Sequence, residues 1–356
     1  MAKNGIKRWL MVSLAIVAVL FLSDARSAWA GAPSHMDRGK NPQGCGGCHR
    51  GRGVPGTPLL KNTNERICFE CHGVMSRGRA KKDLESVFTK RSIHPIYETT
   101  KYHVRGEDLP ERMPTTPRHV ACDDCHSSHV ATPEMPWKGA RGYSRARMRL
   151  KKASDEYELC YLCHSDSANL LSNQKNKREE FDPYNESYHP VELPGRNRFV
   201  PSLVHGLNTN SKVRCTDCHG NNDAFGPRGP HGSDYSPLLV AQYTTTDGVE
   251  SPKAYELCYM CHDRRSILGN DSFWKHNFHI VTKGASCYAC HASHGSRDTK
   301  NLIVFNPNVV SPSNTGLGPQ YIYNPAQSRC YLRCHSADHQ TLGVYRPDGT
   351  KPPGSW

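Results

Sequence analysis

Past residue 22 the sequence has no apolar stretch approaching the roughly 20 residues that a membrane-spanning helix requires. It is also short of core-forming side chains. Hydrophobic residues make up 36% of the 356-residue chain, and exchanging the 16 tyrosines for the 29 glycines in that count gives about 40%, below the roughly 45–50% of ordinary domains. Glycine and proline number 29 and 25. Such a chain would not offset its ordering entropy by burying side chains alone, so an ordinary globular core is excluded. Acidic residues are scarce, 33 against 46 basic ones, for a formal charge of +13. Free cysteine is lacking altogether, because all 16 cysteines belong to one recurring motif.

That motif is Cys-x-x-Cys-His. It occurs as Cys45-Gly-Gly-Cys48-His49, Cys68-Phe-Glu-Cys71-His72, Cys122-Asp-Asp-Cys125-His126 and Cys160-Tyr-Leu-Cys163-His164. It returns as Cys215-Thr-Asp-Cys218-His219, Cys258-Tyr-Met-Cys261-His262 and Cys287-Tyr-Ala-Cys290-His291. An eighth copy, Cys330-Tyr-Leu-Arg-Cys334-His335, carries three residues between its cysteines. The spacing is that of a c-type haem attachment site: two thiols about one turn apart each form a thioether to a haem vinyl group, and the next histidine ligates the iron. A disulfide framework would not need the histidine, and a zinc ribbon has no use for it at the fifth position every time. The cofactor expectation is therefore eight covalent haem c groups with their iron.

The start of the chain reads as a secretory leader. Lys3, Lys7 and Arg8 precede the apolar run Trp9 to Leu22, and Ala28-Trp29-Ala30 offers a cleavage site. Cleavage after Ala30 makes the mature protein exported, periplasmic or extracellular, with no lipid-anchored cysteine, since Cys45 is the first. Removing the leader takes +3 from the charge and leaves +10 on the mature chain. Sixteen ionised propionates would then bring the holoprotein to about −6, so the basic excess is counter-charge and does not point to nucleic acid. The densest basic run, Arg141 to Lys152, remains a candidate docking face.

Internal repetition organises the rest. Tyr157-Glu-Leu-Cys160 returns as Tyr255-Glu-Leu-Cys258, Ser92-Ile-His94-Pro95 as Ser187-Tyr-His189-Pro190, and Cys125-His126-Ser-Ser-His129 as Cys290-His291-Ala-Ser-His294. These align into modules of approximately 31–66, 67–150, 151–250, 251–328 and 329–356, the middle three holding two motifs each and the terminal ones a single motif. The fold class expected is mostly irregular with short α-helices, the motifs forming helical turns and long loops wrapping cofactors in an elongated stack. The tail from Gln340 is expected to fray.

Twelve histidines remain beyond the eight motif ones, enough to close the second face of every iron. His94 and His189 are equivalent by repetition, His279 is favoured over His276, and His129, His231, His294 and His339 each follow a motif. Histidines on opposite faces of one iron have Cβ atoms about 11 Å apart, given a metal–nitrogen bond of about 2 Å. Residues three or four apart on a helical turn hold theirs about 5–6 Å apart. His129, His294 and His339 therefore cannot share a haem with the motif histidine they follow. His35 and His205, each ten residues ahead of a motif, compete for the remaining positions, and His103, His119 and His276 are assigned to the surface or to propionate contacts.

The doubled motifs, with Cys122 to His129 and Cys287 to His294 as their fullest form, resemble the multihaem c-type cytochromes of the doubled CxxCH type. The resemblance covers nearly the whole mature chain. It implies electron transfer in the periplasm or outside the cell, with other redox proteins or an extracellular acceptor as partners, and includes cytochromes that polymerise. An electron conductor without bond chemistry is the leading expectation. A reductase of nitrogen or sulfur oxyanions would need an open haem, and the lysine-for-histidine motif of the resembling nitrite reductases is missing here. A homopolymeric filament would draw one histidine, His35 or His339, from the next subunit.

Overall fold

The structure is a computed structural model, describing residues 33–54, 59–74, 82–97, 120–145, 150–166, 170, 174–322, 329–335 and 337–339. The leader, His103, His119 and the tail from 340 lie outside the described residues. Most of the described chain is irregular, and its regular elements are short.

Helices form mostly where the motifs are. They are α1 (Asn64–His72), α2 (Cys122–Cys125), α3 (Glu156–His164), α4 (Lys177–Glu180), α5 (Cys215–Cys218), α6 (Glu256–Tyr259), α7 (Arg264–Leu268) and α8 (Cys287–Cys290). A 3-10 turn at Gly44–Gly47 carries the first motif. The nine-residue α3 shows why the chain turns helical there. Glu158 reaches back over the helix start and accepts from the Ser154 backbone N–H at 2.8 Å, which satisfies a donor the helix cannot use itself.

The strands are β1 (Ser92–Ile93), β2 (Arg141–Tyr143), β3 (Leu150–Lys152), β4 (Ser187–Tyr188), β5 (Gly232–Ser233), β6 (Gly295–Ser296), β7 (Val310–Ser311), β8 (Gln320–Ile322), β9 (Arg329–Cys334) and β10 (Ala337–His339). They pair antiparallel as β1 with β5, β2 with β3 and β4 with β6, while β9 takes β7, β8 and β10. The β2–β3 hairpin uses part of the basic run internally: Lys151 lies 2.6 Å from the buried Glu158, and Arg145 lies 3.8 Å from the buried Glu192. Apolar packing is local. Tyr157, Tyr161, Phe181 and Val191 form one small cluster, and Phe69, Phe88 and Ile96 another.

Candidate metal centres

Among the described residues, sixteen imidazoles face one another in eight pairs, each of these histidines used once. Their ring centroids lie 5.9 Å apart for His72 and His35, 6.0 Å for His49 and His129, 6.0 Å for His126 and His231, and 6.4 Å for His164 and His94. The distances are 6.2 Å for His219 and His294, 6.4 Å for His262 and His189, 6.3 Å for His291 and His276, and 6.2 Å for His279 and His339. An iron between two imidazoles, with bonds of about 2 Å and a ring nitrogen about 1.1 Å from its centroid, puts the centroids about 6.3 Å apart. The interplanar angles scatter from 7° to 65°. A ring-on-ring attraction would favour particular angles, whereas a central metal constrains the distance and leaves rotation about the axis free.

The outer ring nitrogens test whether this donor set fits. Nδ1 of His94, His126, His189, His219, His279 and His291 donates to the carbonyl of Pro230, Pro136, Ser293, Pro237, Lys275 and Asn301, at 2.5, 2.9, 2.6, 3.0, 3.0 and 3.0 Å. Fixing the proton on Nδ1 leaves a lone pair on Nε2, the tautomer a ligand requires. His294 donates Nδ1–H to the Glu180 carboxylate at 3.0 Å. Burial opposes the charged form, lowering His164 and His262 to about 4 and His231 and His276 to about 3, with neighbouring histidines adding to the effect. Burial thus favours the neutral form of these four rings, the form that binds iron.

Two short clamps deliver four of the second histidines. In β1–β5, Ser92 opposes Ser233 and Ile93 opposes Gly232, so His94 and His231 emerge beside each other, joined by the bond from the His94 N–H to the His231 carbonyl at 3.3 Å. In β4–β6, Ser187 opposes Ser296 and Tyr188 opposes Gly295, and the His189 N–H donates to the His294 carbonyl at 2.8 Å. Each clamp serves two sites: His94 and His231 face His164 and His126, and His189 and His294 face His262 and His219. The glycines are there for close backbone approach, since a Cβ at Gly232 would sit 2.1 Å from the Val87 carbonyl oxygen, and one at Gly295 would sit 1.6 Å from that of Glu180.

The thiols join the sites in sequence order. Cys68 touches Cys122, Cys160 touches Cys215, and Cys258 touches Cys287. The second cysteines lie near enough that ionising one opposes ionising the other, in the pairs Cys48 with Cys71, Cys125 with Cys163 and Cys218 with Cys261, and in Cys290 with Cys330 and Cys334. Glu156 fastens two motifs together, accepting from the Thr216 N–H at 3.0 Å and from its hydroxyl at 2.9 Å.

Known families describe the same chain. Residues 38–77 match the doubled CXXCH motif family, and residues 144–302 match the family described as outer membrane cytochrome MtrC/MtrF-like, domains II/IV. This chain is a multihaem c-type cytochrome. A relative, the multiheme cytochrome MtrA of Shewanella baltica (strain OS185), is 25% identical to the cytochrome over 308 residues, covering 79% of this chain and 69% of that protein. No solved structure matches it.

Three expectations for the cytochrome are revised by its geometry. His205 is exposed and has no imidazole partner among the described residues, whereas His35 faces His72. His276, assigned to the surface, is half-buried opposite His291, three residues ahead of His279, whose ring faces His339. The eighth motif is not a helical turn: it lies on β9, its His335 is exposed, and His339 takes the place opposite His279. A signal was there to be read for the clamps. His231-Gly-Ser233 and His294-Gly-Ser296 are the same tripeptide, and each pairs with a Ser-x-His-Pro segment.

Proposed function

We propose that this cytochrome is an exported electron-transfer protein carrying eight covalent haem c groups, each closed by two histidines, and that it performs no bond chemistry. The carrying observation is the set of eight imidazole pairs, whose spacing supports two histidine ligands for each of eight irons. When bound, haem c supplies a one-electron iron couple whose potential is set by its axial ligands and surroundings. The protein's own part is to hold those ligands rigid. Carbonyls fix six of the rings through Nδ1, clamps bring second histidines in from distant loops, and thiol contacts keep neighbouring attachment sites adjacent. The order of those contacts supports a route running from the Cys45 site at one end to the Cys330 site at the other, through the two-motif modules in turn.

Redox proteins or an extracellular acceptor would meet the ends of that route. Export rests on the leader. Among the described residues no helix is long and apolar enough to cross a membrane. A filament built by exchanging histidines between subunits is disfavoured, because His35 and His339 each face a ring of their own chain. The test is a haem count by intact mass together with near-infrared magnetic circular dichroism and carbon monoxide titration. Eight haems, all low-spin and unreactive, are expected. A high-spin, carbon-monoxide-binding fraction near one in eight would favour a reductase instead.

A further inference from the structure

We propose that the eighth haem takes His339, not His335, as its motif-side axial ligand, with His279 on the opposite face; this rests on the octahaem reading above. The first observation is one of strand geometry. On β9 the side chains alternate between faces, so Cys330, Leu332 and Cys334 share one face. In the register with β10, His339 lies opposite Leu332 and Ala337 opposite Cys334, and residues directly opposite across an antiparallel pair project on the same side. Cys330, Cys334 and His339 are thereby gathered on one face of a hairpin. His335 follows Cys334 at the corner, with a left-handed backbone (φ 51°) and an exposed ring.

The odd spacing of the eighth motif follows from the same geometry. On a helical turn, cysteines three apart lie on one side, but on a strand they would point to opposite faces, and only an even separation keeps them together. Three intervening residues supply that even separation. The motif's departure from Cys-x-x-Cys is what a strand-borne attachment site requires, and the histidine that serves it is then the one the neighbouring strand returns to the same face.

The ring nitrogens agree. His335 places Nε2, the atom that iron would need, 3.0 Å from the Asp247 carboxylate, and its side chain is 64% exposed. His339 instead sits half-buried with its ring 6.2 Å from that of His279, and His279 spends its Nδ1 proton on the Lys275 carbonyl. The order of the chain points the same way. His35, His94 and His189, which face the second, fourth and sixth motif histidines, each lie ahead of the preceding motif. His279 lies ahead of the seventh motif and so continues the series into the eighth site, where the ring it faces is His339.

The experiment compares His335→Ala with His339→Ala in the full-length holoprotein. Haems are counted by intact mass, and spin state is read by near-infrared magnetic circular dichroism with carbon monoxide titration. His335→Ala should keep eight low-spin haems, while His339→Ala should show a high-spin, carbon-monoxide-binding fraction of one in eight. The reverse pattern overturns the proposal. Should either variant fail to mature, diethylpyrocarbonate treatment of the unaltered holoprotein decides: His335 should be carbethoxylated and His339 protected, and modification of His339 overturns the assignment. Seven haems in the unaltered protein would defeat the octahaem reading itself, whereas eight haems with His339 reactive defeats only this ligand assignment.

Discussion

Replacing Gly295 by alanine should release two iron ligands at once. Its Cβ would be built 1.6 Å from the Glu180 carbonyl oxygen and 2.7 Å from the carbonyl carbon, both backbone atoms that no rotamer change can move. Restoring van der Waals contact at about 3.5 Å requires β6 to retreat by roughly 2 Å. That retreat breaks the bonds from the His189 N–H to the His294 carbonyl (2.8 Å) and from the Glu186 N–H to the Arg297 carbonyl (3.1 Å). Each bond is worth about 0.5–1.5 kcal/mol net, and the overpacking itself costs about 1–3 kcal/mol, so the clamp loses roughly 2–6 kcal/mol. Because this clamp presents His189 to His262 and His294 to His219, the haems at those two motifs should lose their second ligand together. Magnetic circular dichroism of Gly295→Ala should then show a high-spin fraction of one quarter. Gly248→Ala, where a Cβ would meet nothing within 4 Å, should leave the spectrum unchanged. A Gly295→Ala protein that stays wholly low-spin and melts within about 1 kcal/mol of the unaltered protein would refute the reasoning.

Three further outcomes follow from the contacts described. Glu156→Ala strands the Thr216 N–H and hydroxyl and should cost about 1–3 kcal/mol in thermal unfolding, with most of it recovered in Glu156→Gln, which keeps an acceptor for the N–H. Glu158 is raised by burial, but the hydrogen bonds from Lys151 and from the Ser154 backbone and hydroxyl outweigh that and leave it below the ordinary 4.5. Its stabilisation is therefore present above pH 4.5 and lost as pH falls through the lower folded value. Glu158→Gln should flatten that acid limb of a stability–pH profile, and an unchanged limb would remove Glu158 from the account. A chain expressed without haem attachment should show no cooperative melt by far-ultraviolet circular dichroism, because the two small apolar clusters around Tyr161 and Phe69 cannot offset the entropy of so long a chain.

What is local could be read directly from the amino-acid order. Two thiols and the histidine beside them act within a few residues, so all eight motifs could be read as attachment sites without knowing the fold, and the scarcity of core residues followed from composition. Short helices at α1, α2, α3, α5, α6 and α8 were legible for the same reason. The tertiary structure alone decided which second histidine meets which motif. His94 faces His164, and His126 faces His231, because two-residue strands bring remote loops together, and elements that short carry no hydrophobic periodicity to betray them. It also decided that β9 is a strand, on which Cys330 and Cys334 fall on one face, and that the ring facing His279 is His339. A covalent motif is written along the chain, whereas an axial pair is closed across it, and only folding brings the two rings to opposite sides of one point.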